Sequence, residues 1–160
     1  MCEAMWPRLR PATNADCRHV ANLVYTVLGE YHLKPDPECT DADLKDIEQS
    51  YLARGGVFCV LEEKDGSIIG SYGLYPMEAG VCELRKMYLR RDHRGKGLGR
   101  MLLEDALAKA CQLGLRRITL ETASVLKEAI RLYESYGFKP YQPDHLSSRC
   151  DQAYVLDLLA

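Results

Sequence analysis

The spacing of apolar residues along the chain predicts both helices and strands. Apolar residues recur with the period of a half-buried helix in residues 14–28, 41–53, 98–113 and 125–136. Strand-forming residues, bounded by turn signals, predict strands at 7–11, 57–63, 68–77, 81–89, 116–122 and 153–159, with an extra short strand near Tyr141. The order β-α-α-β-β-β-α-β-α-β is typical of a mixed α/β fold with an antiparallel first half, not of a doubly wound sheet.

Composition and charge limit the class of protein. The 160 residues are predicted to form a single domain, residues 1–160. A formal net charge of −2 gives no general attraction to nucleic acid or to an anionic membrane, so neither is expected as a partner. The absence of a signal-peptide pattern and of a long apolar run predicts a cytoplasmic protein. Scattered cysteines and histidines predict no metal site, and Cys59, Cys82 and Cys111 are expected in the core.

The hexapeptide RGKGLG, residues 94–99, stands directly before the third predicted helix. The first N–H groups of a helix have no intrahelical partner and the helix dipole is positive there, so bare backbone at this point favours a phosphate. Arg94, Lys96 and Arg100 would add attraction. A Walker loop is excluded because Arg90 stands where its first glycine is required. A dinucleotide-binding fold is disfavoured, because the glycines run GxGxG and the charged residues 91–94 separate them from the strand.

Two segments resemble the GCN5-related N-acetyltransferase (GNAT) superfamily. RGKGLG is similar to that family's acetyl-CoA signature, R/Q-x-x-G-x-G/A, and AIRLYESYGFKP at residues 129–140 is similar to its A-x-x-x-Y-x-x-x-G-F segment. The element order agrees, so the resemblance covers nearly the whole chain. It implies a GNAT-type mixed sheet in which strand 83–89 splays from strand 118–121 and the thioester lies in the gap. A strand bulge there would explain why Lys86 interrupts the apolar pattern.

The resemblance also implies acetyl-CoA as the cosubstrate. The backbone N–H groups from Gly95 to Arg100 should hold the pyrophosphate, and the end of the preceding strand should pair its main chain with the pantetheine arm. The residues assigned to the cofactor in this way are Met87, Tyr88, Leu89, Arg94, Gly95, Lys96, Gly97, Leu98, Gly99 and Arg100.

Two residues are candidates for the chemistry. The acceptor amine must be neutral to react, yet a free alkylamine has a pKa near ~10, so a base is required. Glu83 lies on the central strand, where some members of the family carry a glutamate base; an ion pair with Arg85 is the open alternative. Tyr133 matches the tyrosine of the second motif and is the candidate acid for the departing thiolate. Packing against Phe138 is the alternative for Tyr133.

One position departs from the family pattern, and the acceptor is not named by any motif. The family often has asparagine where this chain has Leu126, and the missing cofactor contact is expected to fall to Ser124 or to water. The acceptor is expected between residues 31–40 and the last strands. Arg149 and Asp151 offer groups for a carboxylate and an amine there, but ordinary loop charges are the preferred interpretation.

The predicted function is therefore an acetyl-CoA-dependent N-acetyltransferase. Its acceptor is expected to be a primary amine of a small metabolite or amino acid, and the protein is expected to be a monomer or homodimer. Two alternatives stay open. One is a non-catalytic domain that binds or senses coenzyme A, and the other is an enzyme that acetylates peptides or proteins.

Overall fold

A computed structural model describes residues 5–158, in which seven strands form one mixed sheet. The strands are β1 Arg8–Pro11, β2 Val57–Glu62, β3 Ile68–Glu78, β4 Val81–Leu89, β5 Arg117–Thr122, β6 Lys139–Pro140 and β7 Gln152–Asp157. They lie in the order β1-β2-β3-β4-β5-β7-β6. Pairing is antiparallel from β1 to β4 and parallel between β4 and β5. The predicted mixed sheet with an antiparallel first half is confirmed, and β6 is the short strand expected near Tyr141.

The helices of the described residues are α1 Cys17–Glu30, α2 Ile47–Ser50, α3 Leu98–Gln112 and α4 Lys127–Ser135. The prediction of one continuous helix over 41–53 is wrong, because α2 is a single turn between two 3₁₀ turns, Ala42–Lys45 and Leu52–Arg54. Asp46 causes the break. Its backbone is extended (φ −152°, ψ 85°), and its side chain accepts a hydrogen bond from Gln49 N at 2.9 Å, which caps α2.

The ends of two predictions lie outside the described residues. The predicted domain, 1–160, includes residues 1–4 and 159–160, and the predicted last strand, 153–159, includes Leu159. The part of that strand within the described range is β7.

Helices cover both faces of the sheet. Successive residues of a strand point to opposite sides, so each strand packs against helices on both faces. In β2, Phe58 and Val60 pack with the apolar residues of α1 and α2, whereas Cys59 and Leu61 pack with those of α3. The sheet therefore has one apolar core on each face, and a residue of β4 that breaks the alternation is easily recognised.

Cysteine placement agrees with the sequence in part. Cys59 and Cys82 are buried as predicted, but the prediction for Cys111 is wrong, because this residue lies on the outer side of α3 and is exposed. Within residues 5–158, no group of three or more histidine, cysteine, aspartate or glutamate side chains is placed to hold a metal ion. No helix in the same range is both long and apolar enough to cross a membrane.

The parallel strands β4 and β5 are paired only at their beginnings. Three residue pairs form the ladder, and the last of them joins Glu83 to Thr119. Beyond this point β5 continues beside β7 while β4 continues beside β3. The remainder of β4 is thus separated from β5, which confirms the predicted splayed pair and opens a gap in the middle of the sheet.

A bulge on β4 lies at the edge of this gap. The register with β3 advances by two residues from Ser71 to Gly73 but by three from Tyr88 to Arg85, so β4 carries one extra residue. Lys86 lies in the bulge with a left-handed backbone (φ 54°), and its carbonyl accepts a hydrogen bond from Ser71 Oγ at 2.7 Å. The predicted bulge is confirmed.

Gly73, opposite the bulge, is required by the close packing of two aromatic rings. A Cβ atom there would lie 2.6 Å from Tyr51 Cε1 and 2.7 Å from Phe58 Cδ2. We expect Gly73→Ala to cost about 1–3 kcal/mol through overpacking, which lowers the Tm by about 2–12 °C. Thermal unfolding followed by circular dichroism measures this. Gly29→Ala is the control, because nothing lies within 4 Å of the added atom, and a wild-type Tm for Gly73→Ala would contradict the packing argument.

Candidate active site

The gap between β4 and β5 opens into a cleft with a volume of about 740 Å³. Its walls come from the second half of β4, the end of β5, the start of α3, and α4. Residues of the loop after α1 and of the loop before β7 complete its lining. Of the residues predicted for the site, Glu83, Met87, Tyr88, Leu89, Arg94, Gly95, Gly99 and Tyr133 line this cleft. The splayed strands thus bring both candidate catalytic residues to the cavity that begins at the glycine loop.

The glycine loop presents a run of free backbone donors at the mouth of the cleft. None of the N–H groups from Gly95 to Arg100 donates a hydrogen bond to another described backbone group; the first that does is Met101 N, to Gly97 O at 3.1 Å. Gly95 and Gly97 have left-handed backbones (φ 77° and 80°), and nothing lies within 4 Å of a Cβ atom added at either. Because Gly97 also precedes the first turn of α3, these donors combine with the positive end of the helix dipole. The geometry suits a phosphate or pyrophosphate.

The basic residues of the loop differ in their surroundings. Arg94 turns back from the loop: its Nε and Nη2 donate to Leu89 O at 3.0 and 2.9 Å, and its Nη1 pairs with Glu30 Oε2 at 2.9 Å. Arg94 therefore fastens the loop to β4 and α1. Lys96 and Arg100 are exposed and form no ion pair within residues 5–158, so they are the loop's side chains available to an anion.

The end of β4 has a free side that faces the gap. Since β5 no longer pairs with β4 after Glu83, the backbone groups of β4 that point toward β5 have no strand partner there. Met87, Tyr88 and Leu89 line the cleft along this side, although the Leu89 carbonyl is occupied by Arg94. Burial raises the pKa of the Tyr88 phenol to about 12.

Glu83 lies at the point where the strands separate, and it is paired. Arg85 Nε lies 2.5 Å from Glu83 Oε1, and the Arg85 guanidinium stacks on the Tyr75 ring at 3.8 Å from its centroid. The ion pair considered from the sequence is therefore formed. It engages one carboxylate oxygen. The Glu83 side chain is 13% exposed and lines the cleft, so a ligand in the cleft has access to this carboxylate.

Tyr133 both packs and faces the cleft. Its ring lies 5.7 Å from that of Phe138, centroid to centroid, in the core under α4. Burial raises the pKa of the Tyr133 phenol, so the hydroxyl stays protonated at neutral pH. No side chain or backbone group among the described residues forms a hydrogen bond with this hydroxyl, which leaves it available to a ligand.

Leu126 lines the cleft at the start of α4, but Ser124 is not free to replace an asparagine there. Ser124 donates its backbone N–H to Asp151 Oδ1 at 2.8 Å and its hydroxyl to Asp151 Oδ2 at 2.7 Å. Asp151 thereby holds the segment before α4. Of the two alternatives for the missing cofactor contact, Ser124 or water, this arrangement leaves Ser124 without a free donor.

Sequence reasoning missed a buried group of charges beside the cleft, formed by Asp41, Asp43, Lys86 and Arg149, which we call the charge cluster. Arg149 pairs with Asp41 through both terminal nitrogens, at 2.8 and 2.7 Å, so treating Arg149 as an ordinary loop charge was wrong. Burial would raise the pKa of Asp41, but the Arg149 hydrogen bond and the Lys86 charge outweigh it, and the pKa lies below its ordinary value. The one signal in the sequence was Lys86, a lysine that interrupts the apolar pattern of β4.

Comparisons with known proteins agree with this geometry. The sequence model of the acetyltransferase (GNAT) family matches residues 21–138. The chain is 38% identical over 138 residues to the uncharacterized N-acetyltransferase YjgM of Escherichia coli (strain K12), across 83% of this chain and 82% of that protein.

Solved structures show the same fold. The chain is similar to a GNAT-family acetyltransferase from Staphylococcus aureus Mu50, with a TM-score of 0.88 and 21% identity, covering 95% of this chain and 99% of that one. It is also similar to a GNAT-superfamily phosphinothricin acetyltransferase from Sinorhizobium meliloti in complex with acetyl-CoA. That likeness has a TM-score of 0.75 and 20% identity, and it covers 96% of this chain and 89% of the other.

Proposed function

The chain is an acetyltransferase that belongs to the GNAT family, and we propose that it transfers the acetyl group of acetyl-CoA to a primary amine of a small metabolite or amino acid. One observation carries the proposal. The free N–H groups of the glycine loop, the carboxylate of Glu83 and the protonated phenol of Tyr133 belong to a single cleft at the splayed strands.

The cofactor is assigned along the length of the cleft. The pyrophosphate of coenzyme A is held by the N–H groups from Gly95 to Arg100, with Lys96 and Arg100 at the exposed rim. The pantetheine amides lie along the free side of β4, where Met87 and Tyr88 offer main-chain groups as a neighbouring strand would. The complex of the Sinorhizobium meliloti neighbour with acetyl-CoA supports this choice of cosubstrate.

The chemistry follows from the positions of Glu83 and Tyr133. Glu83 takes a proton from the acceptor ammonium, directly or through water, and the neutral nitrogen attacks the thioester carbonyl. A C–N bond forms, the C–S bond breaks, and the thiolate receives a proton from the Tyr133 hydroxyl. The nitrogen loses its remaining extra proton as the intermediate collapses, and this proton returns to Tyr133 through solvent. Glu83 releases the proton it took to solvent. Overall, an ammonium and a thioester become an amide, a thiol and one released proton.

The small size of the acceptor is inferred from two loops that line the cleft beside Lys86. Thr40 of the loop after α1 lines it there, and the Arg149–Asp41 pair joins the loop before β7 to the same segment. The loop before β7 is fastened to β5, because Ser147 N donates to Glu121 Oε1 at 2.7 Å. Two fastened loops around the acceptor end favour a compact amine over an extended peptide.

Release of coenzyme A thiol from acetyl-CoA tests the function. The purified protein is assayed against a panel of small amines, amino acids and short peptides, and acetyl-CoA binding is measured by calorimetry in parallel. We expect turnover with at least one small amine or amino acid. Turnover confined to peptides would assign a peptide acetyltransferase, and acetyl-CoA binding without turnover on the whole panel would assign a coenzyme A-binding domain.

Tyr133→Phe tests whether Tyr133 acts as the acid or only packs in the core. We expect kcat to fall by about 10²-fold, near the low end for acid–base catalysis, because a thiol of pKa near ~8.5 needs only moderate help to leave. Acetyl-CoA affinity and the Tm should hold, since the ring is kept and its hydroxyl has no partner among the described residues. Tyr136→Phe is the control on the same helix end, where the hydroxyl donates to Glu104 outside the cleft. A fully active but destabilised Tyr133→Phe protein would end the acid assignment.

A further inference from the structure

Asp41 is the centre of the charge cluster and is fully buried, with 1% of its surface exposed. Its Oδ1 lies 2.7 Å from Arg149 Nη2 and 3.2 Å from Lys86 Nζ. Its Oδ2 accepts hydrogen bonds from Arg149 Nη1 and from Asp36 N, both at 2.8 Å. Each carboxylate oxygen therefore has two donors or cations, and these come from three separate segments of the chain.

Lys86 brings the bulge of β4 into the same cluster. Its Nζ donates to Thr40 O at 3.0 Å and lies 3.3 Å from Asp43 Oδ1, while the other oxygen of Asp43 accepts a hydrogen bond from the Tyr51 hydroxyl. The Lys86 side chain is 4% exposed, so these partners replace the water that would otherwise solvate it. Lys86, whose backbone is left-handed, is thus held by residues 40–43, at the end of the loop after α1.

Stability alone does not account for such a cluster. Two carboxylates and two cations are removed from water, and apolar residues of similar volume often serve a fold as well as a buried ion pair does. What the cluster does fix is geometry. Asp43 Oδ1 accepts no hydrogen bond from the described residues and has only the Lys86 charge beside it, at 3.3 Å, so its burial depends on where Lys86 lies. The three segments fixed here are residues 36–43, the β4 bulge and the loop before β7, and all three contribute to the walls of the cleft.

We propose that the charge cluster sets the shape of the acceptor end of the cleft. Lys86 is a positioning residue that fastens residues 36–43 to the β4 bulge. This inference rests on the proposed function. Thr40, Lys86 and Arg149 each line the cleft, while the Thr40 carbonyl, Lys86 Nζ and both terminal nitrogens of Arg149 are engaged within the cluster. The cluster therefore acts through the loop that it holds, and the amine is bound by the walls so positioned.

The test is Lys86→Met, which keeps an unbranched side chain one atom shorter and removes its charge. We expect kcat/KM for the amine to fall by about 10–100-fold, mostly through a higher KM, because a misplacement of about 1 Å away from the chemistry costs up to ~10²-fold. The Kd for acetyl-CoA should stay within about twofold, since the glycine loop is not part of the cluster. Lys86→Arg keeps the charge and should recover part of the amine KM.

Arg10→Met is the matched control. Arg10 pairs with the buried Asp16 at 2.8 Å in another partly buried ion pair, between β1 and the start of α1 and away from the cleft. It should lower the Tm and leave the amine KM unchanged. If Lys86→Met fails to fold, the double variant Asp41→Asn/Lys86→Met, which removes one charge of each sign, is measured in its place.

The outcomes are distinct. An amine KM in Lys86→Met equal to that of the wild type, or a Kd for acetyl-CoA that rises as much as the amine KM, would overturn the inference while the proposed function stands. A wild-type protein with no transferase activity on any acceptor would overturn both. A selective rise in the amine KM that Lys86→Arg partly reverses supports the positioning role.

Discussion

Replacing Glu83 with glutamine is expected to lower kcat/KM for the amine by about 10²–10⁴-fold at neutral pH, the usual range for general base catalysis. The amide keeps the size of the side chain and an oxygen for Arg85 Nε, but it cannot take a proton. Near pH ~10 about half of a free alkylamine is neutral, so the loss should shrink there. A pH–rate profile of the wild type and the variant, from neutral to alkaline pH, measures both effects.

Arg85→Met distinguishes a base from an ion-pair partner. If Glu83 serves only to pair with Arg85, removing either side chain should lower the Tm by a similar amount and leave the pH profile unchanged. If Glu83 is the base, Arg85→Met keeps the carboxylate in the cleft and should retain most of the pH dependence. Wild-type kcat/KM in Glu83→Gln at neutral pH would show that water alone takes the proton.

The parts of the fold that the sequence predicted are those with a local physical signal. The glycine loop and α3 are adjacent in the chain, and the free N–H groups follow from the glycines and the start of the helix. The β2–β3 hairpin has its turn signal at Asp65 and Gly66, where the backbone is left-handed (φ 89°). The bulge at Lys86 was also visible, because a lysine stands where the alternation of Cys82 and Leu84 requires another apolar residue.

The charge cluster was not visible in the sequence, because its members are distant in the chain. Arg149 and Asp41 are 108 positions apart, and nothing near either residue marks it as one half of a buried pair. Local composition does not distinguish a loop residue whose charge is buried and paired from one whose charge is solvated. The two residues meet only in the folded chain, where the loop before β7 lies against residues 36–43.

Side-chain hydrogen bonds to nearby groups explain both the wrong prediction at α2 and the engagement of Ser124. Residues 41–53 have helical periodicity, but Asp46 bonds to the backbone of Gln49 and starts a new turn instead of continuing the old one. Ser124 was considered for a cofactor contact because it lies near Leu126 in sequence. Its hydroxyl is instead committed to Asp151, a partner that sequence proximity does not suggest.

Gly97→Asp is expected to weaken acetyl-CoA binding by at least about 10²-fold while the fold is kept. The new carboxylate would stand among the N–H groups assigned to the pyrophosphate. Two like charges about 5 Å apart repel by about 3 kcal/mol at an effective dielectric constant of ~20, which corresponds to about 10²-fold in Kd. Calorimetry with acetyl-CoA measures the Kd. Folding should survive, because nothing lies within 4 Å of an added Cβ atom and aspartate tolerates a left-handed backbone better than most residues.

Two variants separate the charge from the backbone strain. Gly66→Asp places the same residue at a left-handed glycine with equally open surroundings, in the β2–β3 turn, so its cost in Tm should match and its Kd for acetyl-CoA should not change. Gly97→Asn keeps the shape of aspartate without the charge, and its Kd should lie between those of the wild type and Gly97→Asp. An unchanged Kd in Gly97→Asp would mean that the pyrophosphate does not lie on the glycine loop. A carboxylate beside a bound pyrophosphate would repel it and raise the Kd.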